Sequence, residues 1–235
     1  MRELRVQIFA DGADRAGIEA LASNPLIRGF TTNPTLMRAS GVTDYEGFAH
    51  EVLPLVGDRP VSFEVFADDL DEMIRQGRRI ATWGEQVFVK IPVTDTRGRP
   101  SSRVLRTLSG EGIHLNVTAM TTPDQVERVT DCLDPATQHF VSIFGGRIAD
   151  TGRDPVPMVR RCVEILRPRP EVRLLWASPR EILNVIQADE AGCHVITLTH
   201  DLLKKLPLLG KDLDEFSLET VQMFARDAVA AGYQL

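Results

Sequence analysis

Gln86-Val87-Phe88-Val89-Lys90-Ile91-Pro92-Val93 is an apolar run with a single lysine near its polar end. A run of this length and composition reads as a buried strand. The stretch before it, from about Asp68 to Trp83, places Leu70, Met73, Ile74 and Ile80 at helical spacing. A helix that feeds a buried strand is one turn of a right-handed βαβ unit, and such units build parallel sheets. The lysine does not belong there for stability. Left ionised and unpaired, Lys90 would cost several kcal/mol, roughly, in lost solvation. Burial disfavours the ammonium, and a neutral amine in a dry pocket is a nucleophile for carbonyls. The ordinary alternative is a lysine at a strand end whose ammonium reaches solvent or a carboxylate.

The same strand-then-helix unit recurs on both sides. Short apolar runs of β character lie at Leu4–Phe9, Gly29–Thr31, Val61–Phe66, Gln86–Ile91, His114–Val117, His139–Phe144, Val172–Trp176 and Cys193–Leu198. They are spaced by roughly 21 to 33 residues, and helical patterns separate them. Eight such units with no long linker predict one domain, a closed (β/α)8 TIM barrel spanning 1–235. Helix-start signals agree. Thr122-Pro123-Asp124-Gln125 is a capping box with proline at the first helical position. Ser178-Pro179-Arg180-Glu181 reads the same way, with Gly192 ending the helix that follows. A last amphipathic helix is expected over about Ser217 to Ala231, with Leu218, Val221, Phe224, Ala225 and Val229 on one face. That face could contact another copy or close the barrel's outer layer.

Composition narrows the function classes. Hydrophobic residues make up 43% and charged residues 26%, as in soluble globular proteins. A net charge of −6 gives no basic footprint for nucleic acid. No apolar stretch suits a signal peptide or a membrane span. Cys132, Cys162 and Cys193 are odd in number and far apart, which points to a reducing, cytoplasmic setting without a disulfide framework. His50, His114, His139, His194 and His200 show no metal-ligand spacing and read as structural or surface residues.

Barrel chemistry sits at the C-terminal ends of the strands. Read at those positions only, the chain gives Asp11, then Thr31-Thr32-Asn33, Glu64, Lys90, Asn116-Val117-Thr118, Ser142 followed by Arg147, Ser178 with Arg180, and Thr197 with Thr199. Each has an ordinary account. Asp11 could cap the helix near Gly12, Thr32 or Asn33 could build the turn before Pro34, Arg147 could pair with Asp150, and Ser178 could be an N-cap. Thr118 and Ser142 could satisfy backbone groups. Glu64 fits such an account least, because an acid inside an apolar strand needs a partner or a task.

These residues resemble a known family. Gly29-Phe30-Thr31-Thr32-Asn33-Pro34-Thr35-Leu36 is similar to the TTNPS segment of transaldolases and the related fructose-6-phosphate aldolases. Val89-Lys90-Ile91-Pro92-Val93-Thr94 resembles their Schiff-base lysine motif. Glu111-Gly112-Ile113 with Asn116-Val117-Thr118 resembles the next strand. Ser142 to Asp150, SIFGGRIAD, resembles SPFVGRIDD, and Ala177-Ser178-Pro179-Arg180 resembles ASFR. Ala191-Gly192-Cys193 through Thr197-Leu198 resembles the last strand, so the likeness runs in order over nearly the whole chain. Two positions divide the branches: transaldolases carry glutamate on the third strand and phenylalanine in the sixth-strand motif, where the aldolases carry glutamine and tyrosine. This chain has Glu64 and Phe144. It departs from the family pattern at Ile143 (proline expected), Ala149 (aspartate), Pro179 (phenylalanine) and Thr121-Thr122 (Phe-Ser).

The resemblance implies a cofactor-free, metal-free enzyme of carbohydrate metabolism, of the pentose phosphate type. It would transfer a dihydroxyacetone unit from a ketose phosphate to an aldose phosphate, through a Schiff base on Lys90. By the same resemblance Asp11 is the base for the donor's C4 hydroxyl, and Glu64 with Thr118 and a water handles the protons of carbinolamine chemistry. Thr32, Asn33, Asn116, Ser142, Phe144 and Ser178 would bind the substrate, Asn33, Asn116 and Ser142 at the donor's hydroxyls, while Arg147 and Arg180 would clamp the phosphate. The alternatives are an aldolase that releases or uses free dihydroxyacetone, a specialised transaldolase making a longer sugar phosphate, and a silent sugar-phosphate sensor. The family's short branch also implies a homo-oligomer.

Overall fold

The computed structural model describes residues 4–234. Eight parallel strands close into a barrel in sequence order, the (β/α)8 TIM fold. They are β1 (Gln7–Asp11), β2 (Ile27–Thr31), β3 (Val61–Glu64), β4 (Val87–Pro92), β5 (Leu115–Met120), β6 (His139–Ile143), β7 (Val172–Trp176) and β8 (Val195–Thr199). The first connections carry α1 (Arg15–Ala22), α2 (Pro34–Ala39), α3 (Tyr45–Val56), α4 (Leu70–Ala81) and α5 (Ser102–Gly110). The later ones carry α6 (Pro123–Thr130), α7 (Gly145–Ala149), α8 (Val156–Leu166) and α9 (Leu183–Ala191). After β8 come α10 (His200–Leu203), a 3-10 turn and α11 (Leu213–Ala231).

All eight expected strands are present, and their ends shift by a few residues. The first begins at Gln7 rather than Leu4 because the Asp189 carboxylate, not a strand neighbour, accepts from the N–H groups of Arg5 and Val6. The Thr122 capping box forms on both sides, with Gln125 reaching back. The Ser178 box does not. Ser178 takes a left-handed backbone (φ 58°), and the helix starts at Leu183. The reason is packing: Gly146 lies so close to the Ser178 carbonyl that a Cβ there would come within 1.6 Å of it. The Asn184 side chain accepts from the N–H groups of Arg180 and Glu181 instead. Asp11 caps nothing, since Asp14 is the N-cap of α1.

Strand periodicity sorts the apolar residues into two cores. Residues facing the helices, such as Ile8, Phe63, Val89, Val117, Leu174 and Ile196, join the larger one. Their alternates face the barrel axis, where Phe9, Phe88, Phe140, Leu175 and Val195 form a separate plug. Phe140 packs on Phe9 and Phe88 with ring centroids 5.4 and 4.6 Å apart. Gly29 makes room for the plug: a Cβ there would lie 2.5 Å from the Phe9 ring.

The last helix differs from expectation. It is longer, α11 being capped by Asp212, and it has no buried residue. Leu218, Val221, Phe224 and Val229 are exposed, so this face does not close the barrel's outer layer. No helix among the described residues is long and apolar enough to cross a membrane.

Candidate active site

Two residues beyond the aromatic plug, the same strands turn polar. Phe9 is followed inward by Asp11, Phe88 by Lys90 and Phe140 by Ser142. Side chains two apart on a strand share a face, so these groups form the floor of a cavity of about 810 Å³ at the C-terminal end of the barrel. Asp11, Asn33, Glu64, Lys90, Asn116, Thr118, Ser142, Phe144, Arg147, Ser178 and Arg180 all line it. Of the residues proposed for the site from sequence, only Thr32 does not.

Lys90 is 7% exposed. Its Nζ donates to the Thr32 carbonyl at 2.9 Å and lies 3.5 Å from Glu64 Oε2. The strand register accounts for this, since Glu64 pairs with Lys90 and Lys90 with Asn116 on adjacent strands. Thr32 thus reaches the lysine through its backbone, while its hydroxyl is turned away onto the Ser62 carbonyl. Burial pushes the carboxyls of both Asp11 and Glu64 above their ordinary range, against the pull of Lys90. Thr31, read from sequence as a strand-end residue without an assigned role, donates to Asp11 at 2.7 Å and shares a 2.6 Å hydrogen bond with Thr197. His200 also comes near Asp11. Its ring packs against Gly12 and Gly17, and its Nε2 is buried without a partner.

On the other side, Ser142 donates to Asn116 Oδ1 at 2.7 Å and Asn116 donates to Ser62 Oγ at 2.9 Å. This chain fixes the amide's orientation. The Thr118 hydroxyl, by contrast, is buried at the cavity wall with no protein partner. Thr118 is aimed there by a break in the β5–β6 register between Val117 and Met120, where Ala119 has φ 66°. Ala119 and Ser178 are the non-glycine residues with left-handed backbone among those described, and both border this cavity. Strain of roughly 1–3 kcal/mol per residue collects at functional sites.

The rim carries the arginines. Arg180 forms a two-pronged ion pair with Asp150, at 2.9 and 2.5 Å, and its Nη1 also reaches Ser178 Oγ at 3.0 Å. Asp150 is therefore the partner of Arg180 rather than of Arg147. Arg180 lies in the loop before α9, not in the first turn of a helix. Arg147 is exposed and stacks over the Phe144 ring, 5.4 Å from its centroid. Of the departures from the family pattern, Thr121 and Pro179 line the cavity, whereas Ile143 is fully buried away from it.

One further residue escaped the sequence reading. The Tyr45 hydroxyl, from α3, accepts from the Glu64 N–H at 2.8 Å and donates to the Glu64 carbonyl at 2.9 Å. No periodicity or motif marks it, because it reaches the site from the helical layer.

Solved structures with this architecture include a putative phosphonomutase and a putative lyase/mutase from Burkholderia cenocepacia, with TM-scores of 0.56 and 0.59. The first covers 94% of each chain at 10% identity, the second 99% of this chain and 86% of that one at 12%, and these likenesses speak for the fold alone. Sequence relatives say more. A probable transaldolase of Dehalococcoides mccartyi is 32% identical over 90% of this chain and 96% of its own. One from Clostridium acetobutylicum is 32% identical over 93% and 99%. The family description that matches residues 8–235 is Transaldolase/Fructose-6-phosphate aldolase. With a barrel floor of this kind and relatives matched along nearly their whole length, the chain belongs to the transaldolase/fructose-6-phosphate aldolase family.

Proposed function

We propose that this protein is a Schiff-base transaldolase, moving a dihydroxyacetone unit from a ketose phosphate to an aldose phosphate. One observation carries the reading: a lysine buried at the catalytic end of the barrel, with a carboxylate 3.5 Å away, opening into a cavity large enough for a sugar phosphate. Lys90 Nζ adds to the C2 carbonyl of the donor. Glu64, with a water held by the Thr118 hydroxyl, delivers and collects the protons as the carbinolamine loses water to give an iminium. Asp11 takes the C4 hydroxyl proton, the C3–C4 bond breaks so that C4 departs as the aldehyde of a shortened aldose phosphate, and the bond's electron pair flows to the iminium nitrogen to leave an enamine. The acceptor aldehyde is attacked by that enamine, Asp11 returns the proton, and water releases the product from Lys90. The raised proton affinities of the two buried carboxyls suit groups that both take and give protons.

Asn33, Asn116 and Ser142 supply hydrogen bonds to the donor's hydroxyls, and Phe144 covers it. Arg147, Arg180 and Ser178 read the phosphate. Thr121 and Pro179, at the cavity wall, are where acceptor choice is set. No cofactor is needed, because the iminium itself is the electron sink. We place the enzyme in the cytoplasm, where its three buried thiols stay reduced, and take α11, with its exposed apolar face, as a contact between copies in a homo-oligomer.

The test is acceptor dependence. A ketose phosphate donor is incubated with and without a panel of aldose phosphates, and product masses are read. Turnover that requires an acceptor and yields a sugar three carbons longer supports transfer. Free dihydroxyacetone released at the same rate without acceptor would make it an aldolase, and no turnover with any pair would overturn the reading.

A further inference from the structure

The β2–β3 seam opens just below the lysine. The two strands pair through Phe30 with Val61 and Thr31 with Ser62, and the last rung is the Thr32 N–H donating to the Ser62 carbonyl at 3.1 Å. The chain then leaves the sheet, because Asn33 becomes the N-cap of α2 and Pro34 has no N–H to offer. In a parallel ladder, alternate residues direct both backbone polar groups to the same neighbour. Ser62 faces β2 in this way, while Val65 bonds β4 through the Lys90 carbonyl. Glu64 therefore faces the gap that β2 has left.

The Tyr45 hydroxyl fills that gap, accepting from the Glu64 N–H and donating to the Glu64 carbonyl as a strand partner would. Its ring is wedged among Phe63, Phe66 and Trp83 in edge-to-face contacts, with centroids 6.1, 5.8 and 5.5 Å away. Burial pushes the phenol above its ordinary value, so it keeps the proton that the Glu64 carbonyl requires. We propose that Tyr45 is a positioning residue: by standing in for the missing strand, it fixes the backbone of Glu64 and so holds the carboxylate at Lys90. It does not line the cavity, and its hydroxyl bonds the Glu64 backbone rather than the lysine.

This inference rests on the Schiff-base reading, and the experiment separates the two. The quantity measured is the rate at which borohydride traps a ketose phosphate on the protein, together with kcat, KM and their pH profiles, for wild type, Tyr45→Phe, Trp83→Phe, Glu64→Gln and the Tyr45→Phe/Glu64→Gln double variant. Tyr45→Phe keeps the ring and removes only the hydroxyl. It is expected to lower kcat and the trapping rate about 3- to 10-fold with KM within about twofold, and to shift the acidic limb of the pH profile. In the Glu64→Gln background the same change should have little further effect. Trp83→Phe, which disturbs the ring cluster and spares the hydroxyl, should lower the melting temperature and leave the pH profile in place. A Tyr45→Phe enzyme with wild-type rates, an equal loss in both backgrounds, or the same profile shift in Trp83→Phe would each overturn the proposal. A wild type that traps no substrate would instead remove the Schiff-base reading, and the proposal with it.

Discussion

Phe88 and Lys90 sit two residues apart on β4 and face the same barrel interior, yet their surroundings are opposite. Phe88 stacks on His114 and leans on Phe140, inside a cluster built from Phe9, Phe140, Leu175 and Val195. Lys90 meets a carbonyl and a carboxylate at the edge of a large cavity. One strand thus passes from the part of the barrel that stabilises it to the part that costs stability, over a rise of roughly 6–7 Å. On this division the lower layer should tolerate change without altering the chemistry, and the upper layer without losing the fold. A protein sheds such costs unless function keeps them.

The sharpest way to break this division is at Lys90. Lys90→Ala should reduce turnover to background while leaving the circular dichroism spectrum native. Residual turnover near wild type would place the chemistry elsewhere. Phe140→Ala is the converse. It opens the plug and should cost about 3–5 kcal/mol of stability, read as a lower denaturation midpoint. Activity per folded molecule should change little. If that activity falls as far as in Lys90→Ala, the two layers are not separable.

A third prediction concerns the lower end of the barrel. His139 Nδ1 accepts from the Leu115 N–H at 3.2 Å, so the ring is held neutral. Burial lowers its pKa from 6.5 to about 4. The unfolded chain therefore takes up this proton more readily than the folded one. The contribution is complete above pH 6.5 and is lost as pH falls toward 4, on the order of 3 kcal/mol in all. Chemical denaturation across that range should show a smaller acid loss in His139→Gln than in wild type. Parallel curves would mean the ring is not held neutral.

The smallest effects are expected at the rim. Arg180→Ala should raise KM for phosphorylated substrates about 10–150-fold, from the loss of roughly 1.5–3 kcal/mol of charged hydrogen bonding, and much less for unphosphorylated analogues. Asp150 competes for that guanidinium in a half-exposed pair, so Asp150→Ala should lower the same KM by only a few-fold. An equal loss on both substrate types in Arg180→Ala would mean that the arginine shapes the loop rather than reads phosphate.

The upper layer was legible in the sequence because strands write their facing into every second residue. Glu64 and Lys90 stand out in apolar runs, and the polar strand ends gather at one rim once eight βα units are counted. What escaped was what depends on contacts between elements. Ser178 carries every local sign of an N-cap, but its packing on Gly146 turns the backbone left-handed and moves the helix start to Leu183. Arg147 was the nearer candidate for Asp150, yet Arg180, thirty residues away, takes it. Thr32 carries a side chain that suggested substrate binding, while it is its carbonyl that meets Lys90. Tyr45 has no signature at all, since its role arises only where β2 leaves the sheet.

The central claim is that Lys90 forms the covalent bond. Wild-type protein incubated with a ketose phosphate and sodium borohydride, then digested and mapped by peptide mass spectrometry, tests it directly. The account predicts one adduct, of the reduced imine mass, on the peptide containing Lys90, absent from Lys90→Ala. An adduct on Lys204, Lys205 or Lys211, or none under conditions of full turnover, would contradict it.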